Sequence, residues 1–596
     1  MTGDIVYFSL QQDRKGKPGD KIARVISTLA HKSSELIGQV KKEEGKLKFI
    51  DGTNFAYQII KFGKELIRDG DWVSAKIIGR DSRFIKLKII KKLGFGDNAD
   101  LFFNMTLQKY KILQNFSLDT INEAKGFKIN IEEELKKRVD HRDQLTVTID
   151  GKEAKDLDDA FSLNKKGSEY ELYIHIADVS NFVREGLSID KEAFSRGTSV
   201  YLIDQVVPML PFELSNDLCS LNTSGPKVSM TAKLNFDSLG RLKKKEIYSS
   251  VIKSNARLNY SDVNDLFYKK IDVVENKEIT EMLWNAKELS DKIKSIYRKN
   301  GMLDFVVPEI KVILDKDRLP TKLIKRKQDI AENLIENFMI AANVAVAETF
   351  KENNFPAVFR IHAKPKAEKV ENADHILKTF GYHHTSGAKE IDSAFYQNSL
   401  KWLSGKSFEQ IVNKFLIQTM EKAEYSTNNI GHFGLGLKNY THFTSPIRRY
   451  PDLIVHRYLK LLEEVKKGNK SIDKVIELRK LDMAADHSSA RERDAISAER
   501  YLGDIMKSKY MEKFVGQEFD AFLTNINRKG MFIELDNTVS GFIDFSLEGI
   551  KSDKNTNSTN SIEVPGVGVV KLGDSIKVRV ESCLPIDGRV NFSIVK

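Results

Sequence analysis

The sequence predicts a multidomain protein in which small all-β units flank a large α+β centre. Three observations carry that prediction. A chain of 596 residues exceeds what a single hydrophobic core organises. Short apolar strands separated by polar turns recur near both ends, the pattern of small barrels and sandwiches. Between them, strand-like alternation gives way to helical periodicity.

Taken in order, residues 1–35 read as the end of one β unit and residues 36–92 as a complete one. Strands are expected at 37–40, 46–50 and 71–77, the last after the turn Arg68-Asp69-Gly70. Residues 93–137 form a linking or wrapping segment of mixed helical pattern. The central region spans 138–460, with strands at 145–149, 170–178 and 229–234. In its helical part, Ile330, Leu334, Phe338, Met339 and Ala342 recur at helical spacing, with Glu332 and Glu336 among them. A helical extension over 461–512 holds a long amphipathic helix at 472–510. A last β-rich unit covers 513–596, and its polar run 551–561 reads as a mobile loop. No repeat of solenoid length is present.

Composition narrows the class. Hydrophobic content of 41% with 30% charged residues describes a soluble globular protein. No apolar run approaches a membrane span, and the start MTGDIVYFSLQQDRKGK lacks the apolar core of a signal peptide, so a cytoplasmic protein without a membrane partner is expected. Two cysteines, Cys219 and Cys583, build neither a disulfide framework nor a thiolate zinc site, and read as small core residues. Lysine and arginine outnumber acids by 95 to 84, a formal charge of +11. That balance suits a polyanionic partner, although a solvated lysine surface produces it equally well.

The placement of the acids says more than their number. The segment TVTIDGKEAKDLDDAF (146–161) sets Asp150, Asp156, Asp158 and Asp159 at a strand end, a loop and the start of the next strand. Carboxylates so crowded repel one another unless a cation neutralises them. Mg²⁺ suits such a site, because it takes a few carboxylates and lets substrate phosphate complete its shell. An exposed acidic turn is the plainer reading. The flanks argue against it, since Val147 and Ile149 feed the loop and Ala160-Phe161 follow it, pinning both ends in buried elements. An EF-hand is excluded by ligand spacing.

Phosphodiester hydrolysis also needs cations opposite the carboxylates. The segment GHFGLGLKNYTHFTSPIRRYPDL (431–453) offers Thr444 and Ser445 hydroxyls, a turn stiffened by Pro446, and Arg448-Arg449, whose planar forks suit phosphate. Alone, that arginine pair is ordinary surface charge. Its Gly-x-Gly lacks the third glycine of a dinucleotide fingerprint. His432, His442 and His456 do not have the spacing of a helical zinc pair and read as structural or RNA-contacting.

Together these segments resemble the RNase II family of exoribonucleases and its RNB catalytic domain, over roughly residues 138–460. The supporting motifs, in family order, are TIDGKEAKDLDDA, YIHIADVSNFV, GTSVYLIDQVVPMLPFELSNDLCSLN, ARLNYSDV, LDFVVPE, LIENFMIAANVAVA and HFGLGLKNYTHFTSPIRRYPDLIVHR. The third is most similar to the RNase R branch. The flanking units resemble OB-type RNA-binding domains, a cold-shock-like one at 36–92 and a terminal one at 513–596.

The resemblance implies a processive 3′→5′ exoribonuclease that acts on single-stranded RNA with Mg²⁺, or Mn²⁺ in its place, and releases nucleoside 5′-monophosphates by two-metal hydrolysis. It implies that Asp150, Asp156, Asp158 and Asp159 bind the metals, Asp158 being the most critical, and that Arg448 grips the scissile phosphate. Tyr260 and Phe305 match aromatics that clamp the terminal bases, and Tyr201 one that limits the shortest product. Glu336 matches a glutamate near the terminal ribose, while its neighbour Asn337 replaces a second acid. Other departures are GKLKFI at 45–50 in place of an aromatic-rich string, Lys529 for an aromatic and Asp544 for a histidine. With the shortened N-terminus and no lysine-rich tail, weaker action on structured RNA is expected. A monomer is expected, with a ribosome or RNA-decay assembly as a further contact. A silent RNA-binding relative would have lost a cluster aspartate, and none is lost here.

Overall fold

The computed structural model describes residues 5–12, 21–30, 35–51, 55–81, 83–272, 275–305, 309–326, 328–383, 393–406, 408–550 and 561–595. The chain divides into two compact units, Met1–Ile112 with Asp315–Leu319, and Leu113–Leu314 with Pro320–Lys596. Of the loop expected at 551–561, only Ser561 falls among the described residues, where it begins the strand Ser561–Val564.

In the first unit Ile5–Gln12 pairs antiparallel with Lys21–Ala30. A five-stranded sheet follows in the order Lys46–Ile50, Glu35–Glu43, Asp71–Arg80, Ile85–Phe95, Tyr57–Lys61. Val40, Phe49, Val73, Leu87 and Ile89 form its core. The single aromatic of GKLKFI, Phe49, is therefore buried. Exposed rings stand elsewhere, at Phe55, Phe62, Phe84 and Phe95. The last strand runs beyond the boundary expected at residue 92, as far as Phe95.

The second unit is built on a seven-stranded sheet. Its order is Ala256–Asn259, Val147–Asp150, Asp159–Lys166, Glu169–Ala177, Lys227–Phe236, Leu242–Ile252, Val139–His141. Alternate residues such as Phe161, Leu163, Leu172, Ile174 and Ala232 share a core with the helices Lys277–Lys299 and Ile330–Glu352. The second of these helices corrects the statement that no segment approaches a membrane span. It is long and apolar enough by composition, but 67% of its most apolar window is buried against the sheet and neighbouring helices. The boundary expected at 460 falls inside the helix Tyr450–Lys466, whose Leu453, Val455 and Leu459 are buried.

The long helix Lys474–Met511 starts at Asp473, whose carboxylate accepts the N–H groups of Val475 and Ile476. It leads into a closed five-stranded barrel, Glu518–Ile526, Gly530–Leu535, Ser540–Asp544, Arg589–Ile594 and Ser575–Leu584. Gly530 is needed where it stands, because a Cβ there would lie 2.1 Å from the Ile543 carbonyl oxygen.

Candidate active site

The acidic loop is held from several sides. Val147–Asp150 is buried up to its last residue and pairs in parallel with Ala256–Asn259, Asp150 opposite Asn259. Beyond the loop, Leu157 N–H donates to Ser220 Oγ at 3.2 Å, and Ser220 Oγ donates to Lys155 O at 2.7 Å. Ala177 N–H donates to Asp158 O at 2.9 Å, locking the start of the next strand. Ser220 belongs to the motif 197–222, so that motif helps to shape the acidic loop.

Opposite lies the loop before Tyr450–Lys466. Arg449 is a structural residue: its Nη2 donates to Asp452 Oδ1 at 2.7 Å, and the same oxygen accepts Ser445 N–H at 2.8 Å. Ser199 N–H and Thr198 Oγ1 donate to Arg448 O at 2.9 and 3.0 Å, stitching this loop to a second segment. Arg448 itself is free to turn outward. Its side chain is 41% exposed, its Nη2 rests on Ser445 Oγ at 3.0 Å, and its Nε lies 3.6 Å from Asp158 Oδ2.

These groups line one cleft of about 470 Å³, with all four aspartates, Arg448, Tyr260 and Glu336 on its walls. Tyr201 joins them from the edge, donating its hydroxyl to Asp156 Oδ2 at 3.1 Å. Phe305 does not line this cleft. It is half-buried against the helical cluster of Leu303, Val370 and Tyr396. Asn337 faces away from the cleft, donating to Ser290 Oγ at 2.9 Å, as expected of the buried side of its helix. His456 is structural, with Nε2 2.8 Å from Phe443 O, while His432 and His442 are on the cleft wall.

Burial raises the carboxyls of the cluster. Asp158 is buried, and desolvation lifts it well above the usual carboxylate range against the opposing pull of Arg448 and the Ile447 N–H, which reaches Oδ1 at 2.8 Å. Asp150 is pushed to about 8 by burial and by the charges of Asp159 and Asp156. Asp159 is pushed to about 6 by burial, with Arg448 and Arg449 opposing. Glu336 also lies above its ordinary value through desolvation, with Lys294 opposing.

The donor set fits a hard divalent cation. Asp150 Oδ2 and Asp158 Oδ2 are buried and accept no hydrogen bond, so each retains an unused anionic oxygen. Among the described residues no three His, Cys, Asp or Glu side chains converge closely enough to enclose an ion by themselves. Both facts suit Mg²⁺, which is held by one or two carboxylates and finishes its shell with water and substrate phosphate.

Sequence reasoning missed several contributors. Ile447 acts through its backbone N–H. Arg360 lines the cleft and is fixed by a two-pronged bond to Glu492 at 2.6 and 3.0 Å. Arg257 bonds the acidic loop from the neighbouring strand. Only the last had a signal, its place in ARLNYSDV.

Comparison with known proteins places this geometry. Residues 138–464 match the family described as the RNB domain, and residues 512–594 the S1 RNA binding domain. Ribonuclease R 1 of Lactococcus lactis subsp. lactis is 33% identical over 613 aligned residues, which cover 99% of this chain and 74% of that protein. Ribonuclease R of Thermotoga maritima is 35% identical, with 100% and 85% covered. Among solved structures, the fold is similar to Mycoplasma genitalium RNase R in complex with ribose-methylated single-stranded RNA. There the TM-score is 0.92 at 27% identity, covering 100% of this chain and 94% of that one.

Proposed function

The chain belongs to the RNase II family of RNB-domain proteins, in its ribonuclease R branch, and on that premise we propose a metal-dependent 3′→5′ exoribonuclease that works processively on single-stranded RNA. One observation carries the reading. Buried, uncompensated aspartates face a half-exposed arginine across a cleft that also presents Tyr260 and Glu336.

In this mechanism Asp150, Asp156, Asp158 and Asp159 hold two Mg²⁺ ions. When bound, they lower the pKa of water and stabilise charge on the attacking and leaving oxygens. Arg448 turns its guanidinium onto the non-bridging oxygens of the scissile phosphate, where negative charge grows. Tyr260 stacks on the terminal base, which any base permits because each has a π-face. Glu336 accepts a hydrogen bond from the terminal ribose, so the 2′-hydroxyl contributes to the choice of RNA over DNA. Tyr201, at the cleft edge, sets the shortest fragment retained. The products are nucleoside 5′-monophosphates. The enzyme acts as a monomer in a reducing cytoplasm.

The test is incubation of 5′-labelled, 3′-tailed RNA with the protein in Mg²⁺ or in EDTA, followed by identification of products. Nucleoside 5′-monophosphates and one short labelled stub in Mg²⁺, with intact RNA in EDTA, are expected. Labelled fragments of mixed internal length would replace this reading with an endonuclease.

A further inference from the structure

The edge strand Ala256–Asn259 reaches three parts of the cleft. Its pairing with Val147–Asp150 sets Asn259 opposite Asp150. The Asn259 side chain accepts the Asp262 N–H, capping the helix Tyr260–Lys269 and so placing Tyr260 at its first turn. Arg257, opposite Thr148, reaches the acidic loop, where its Nη2 donates to Lys152 O at 3.1 Å and Ala154 O at 2.5 Å.

Little else holds that stretch. Gly151, Lys152, Glu153 and Lys155 are exposed, and Ala154 is half-buried. Its other bonds are a turn from Ala154 N–H to Gly151 O at 3.0 Å and the Ser220 hydroxyl on Lys155 O. Four carboxylates flank it, and their mutual repulsion favours an open loop. Arg257 opposes this in two ways: its fork spans two carbonyls two residues apart, and its charge acts on Asp150. It does not line the cleft itself. A lysine brings the charge but has no planar fork.

We propose that Arg257 is a positioning residue for the metal-holding loop. Its guanidinium fixes the spacing between Asp150 and the Asp156, Asp158, Asp159 group before a cation arrives, and ties that spacing to the strand that carries Tyr260. The proposal rests on the reading of the cleft as a divalent-cation site. Groups that orient metal ligands in this way typically change metal affinity by about 10–100-fold when removed.

The experiment is a Mn²⁺ titration of the full-length, RNA-free protein followed by electron paramagnetic resonance, for wild type, Arg257→Lys and Arg257→Ala. Arg257→Ala is expected to weaken Mn²⁺ binding by about 10-fold or more. Arg257→Lys is expected to recover only part of that loss. The Mg²⁺ midpoint for RNA hydrolysis should shift by the same factor, while kcat at saturating Mg²⁺ and KM for RNA hold within about twofold. A lowered melting temperature with an unchanged Mn²⁺ constant would make Arg257 merely structural and overturn the proposal. Full recovery by Arg257→Lys would overturn the role of the fork, and this variant still decides the matter if Arg257→Ala fails to fold. Wild-type protein that binds no Mn²⁺ would remove the cation site itself; wild-type binding with unaltered variants would remove only the role of Arg257.

Discussion

Two buried aspartates stand at the same end of the central sheet and have opposite chemistry. Asp158 precedes the strand Asp159–Lys166, and Asp178 follows the neighbouring strand Glu169–Ala177. Asp178 is fully compensated. Arg138 Nη2 donates to it at 2.7 Å, Lys460 Nζ at 2.8 and 2.7 Å, and Ser180 Oγ at 2.7 Å. Burial opposes its charge, but Lys460 and Arg138 hold the carboxyl well below its usual range. Asp158 receives one backbone N–H and an arginine at 3.6 Å, and its other oxygen has no hydrogen-bond partner. The same residue type in the same layer is a strut where the protein supplies the countercharge, and a seat for an external cation where it does not.

The largest effect should come from breaking the compensated site. Asp178→Asn leaves Arg138 and Lys460 facing a neutral amide, and a loss of about 3–5 kcal/mol in urea unfolding is expected. A loss below about 1 kcal/mol would show that the triad is not structural. Next comes the cation of the uncompensated site. Arg448→Ala should lower kcat about 10²–10³-fold with little change in unfolding free energy, because the side chain is half-exposed.

The two sites should also differ in sign with pH. A depressed folded pKa, as at Asp178, gives stability that is present above the ordinary carboxylate range and lost as pH falls through the folded value. Raised values, as at Asp150 near 8 and Asp159 near 6, give stability that is present at low pH and lost as pH rises through them. Without metal, Asp150→Asn should therefore gain on wild type in melting temperature between pH 5 and pH 8, and Mg²⁺ should close that gap. The smallest effect is expected at Tyr201→Phe. It removes one hydrogen bond from Asp156, about 0.5–1.5 kcal/mol, and should move the Mg²⁺ midpoint less than about tenfold.

What could be read from sequence was what lies contiguous in it. The acidic segment and the loop around Arg448 are short strings whose flanks reveal their burial, so both reached the same cleft. The compensation of Asp178 was not legible, because Arg138 is 40 residues away and Lys460 is 282 residues away, and only the fold brings them together. The Ile447 contact is a backbone N–H and leaves no mark on residue type. Phe305 illustrates the converse: its motif is clear, yet its ring rests on a helical cluster beside the cleft. Helix Ile330–Glu352 is apolar because it is enclosed by sheet and helices, a distinction that composition alone does not make.

The central claim is that Asp158 is left uncompensated in order to hold a divalent cation. It is tested most directly by titrating Mg²⁺ into RNA-free wild type and Asp158→Asn at pH 7 and following the melting temperature. Wild type should rise progressively with Mg²⁺, as ligand linkage requires. Asp158→Asn should melt at or above wild type without metal and gain nothing from Mg²⁺. An equal Mg²⁺ response in both proteins, or a metal-free variant markedly less stable than wild type, would contradict the account.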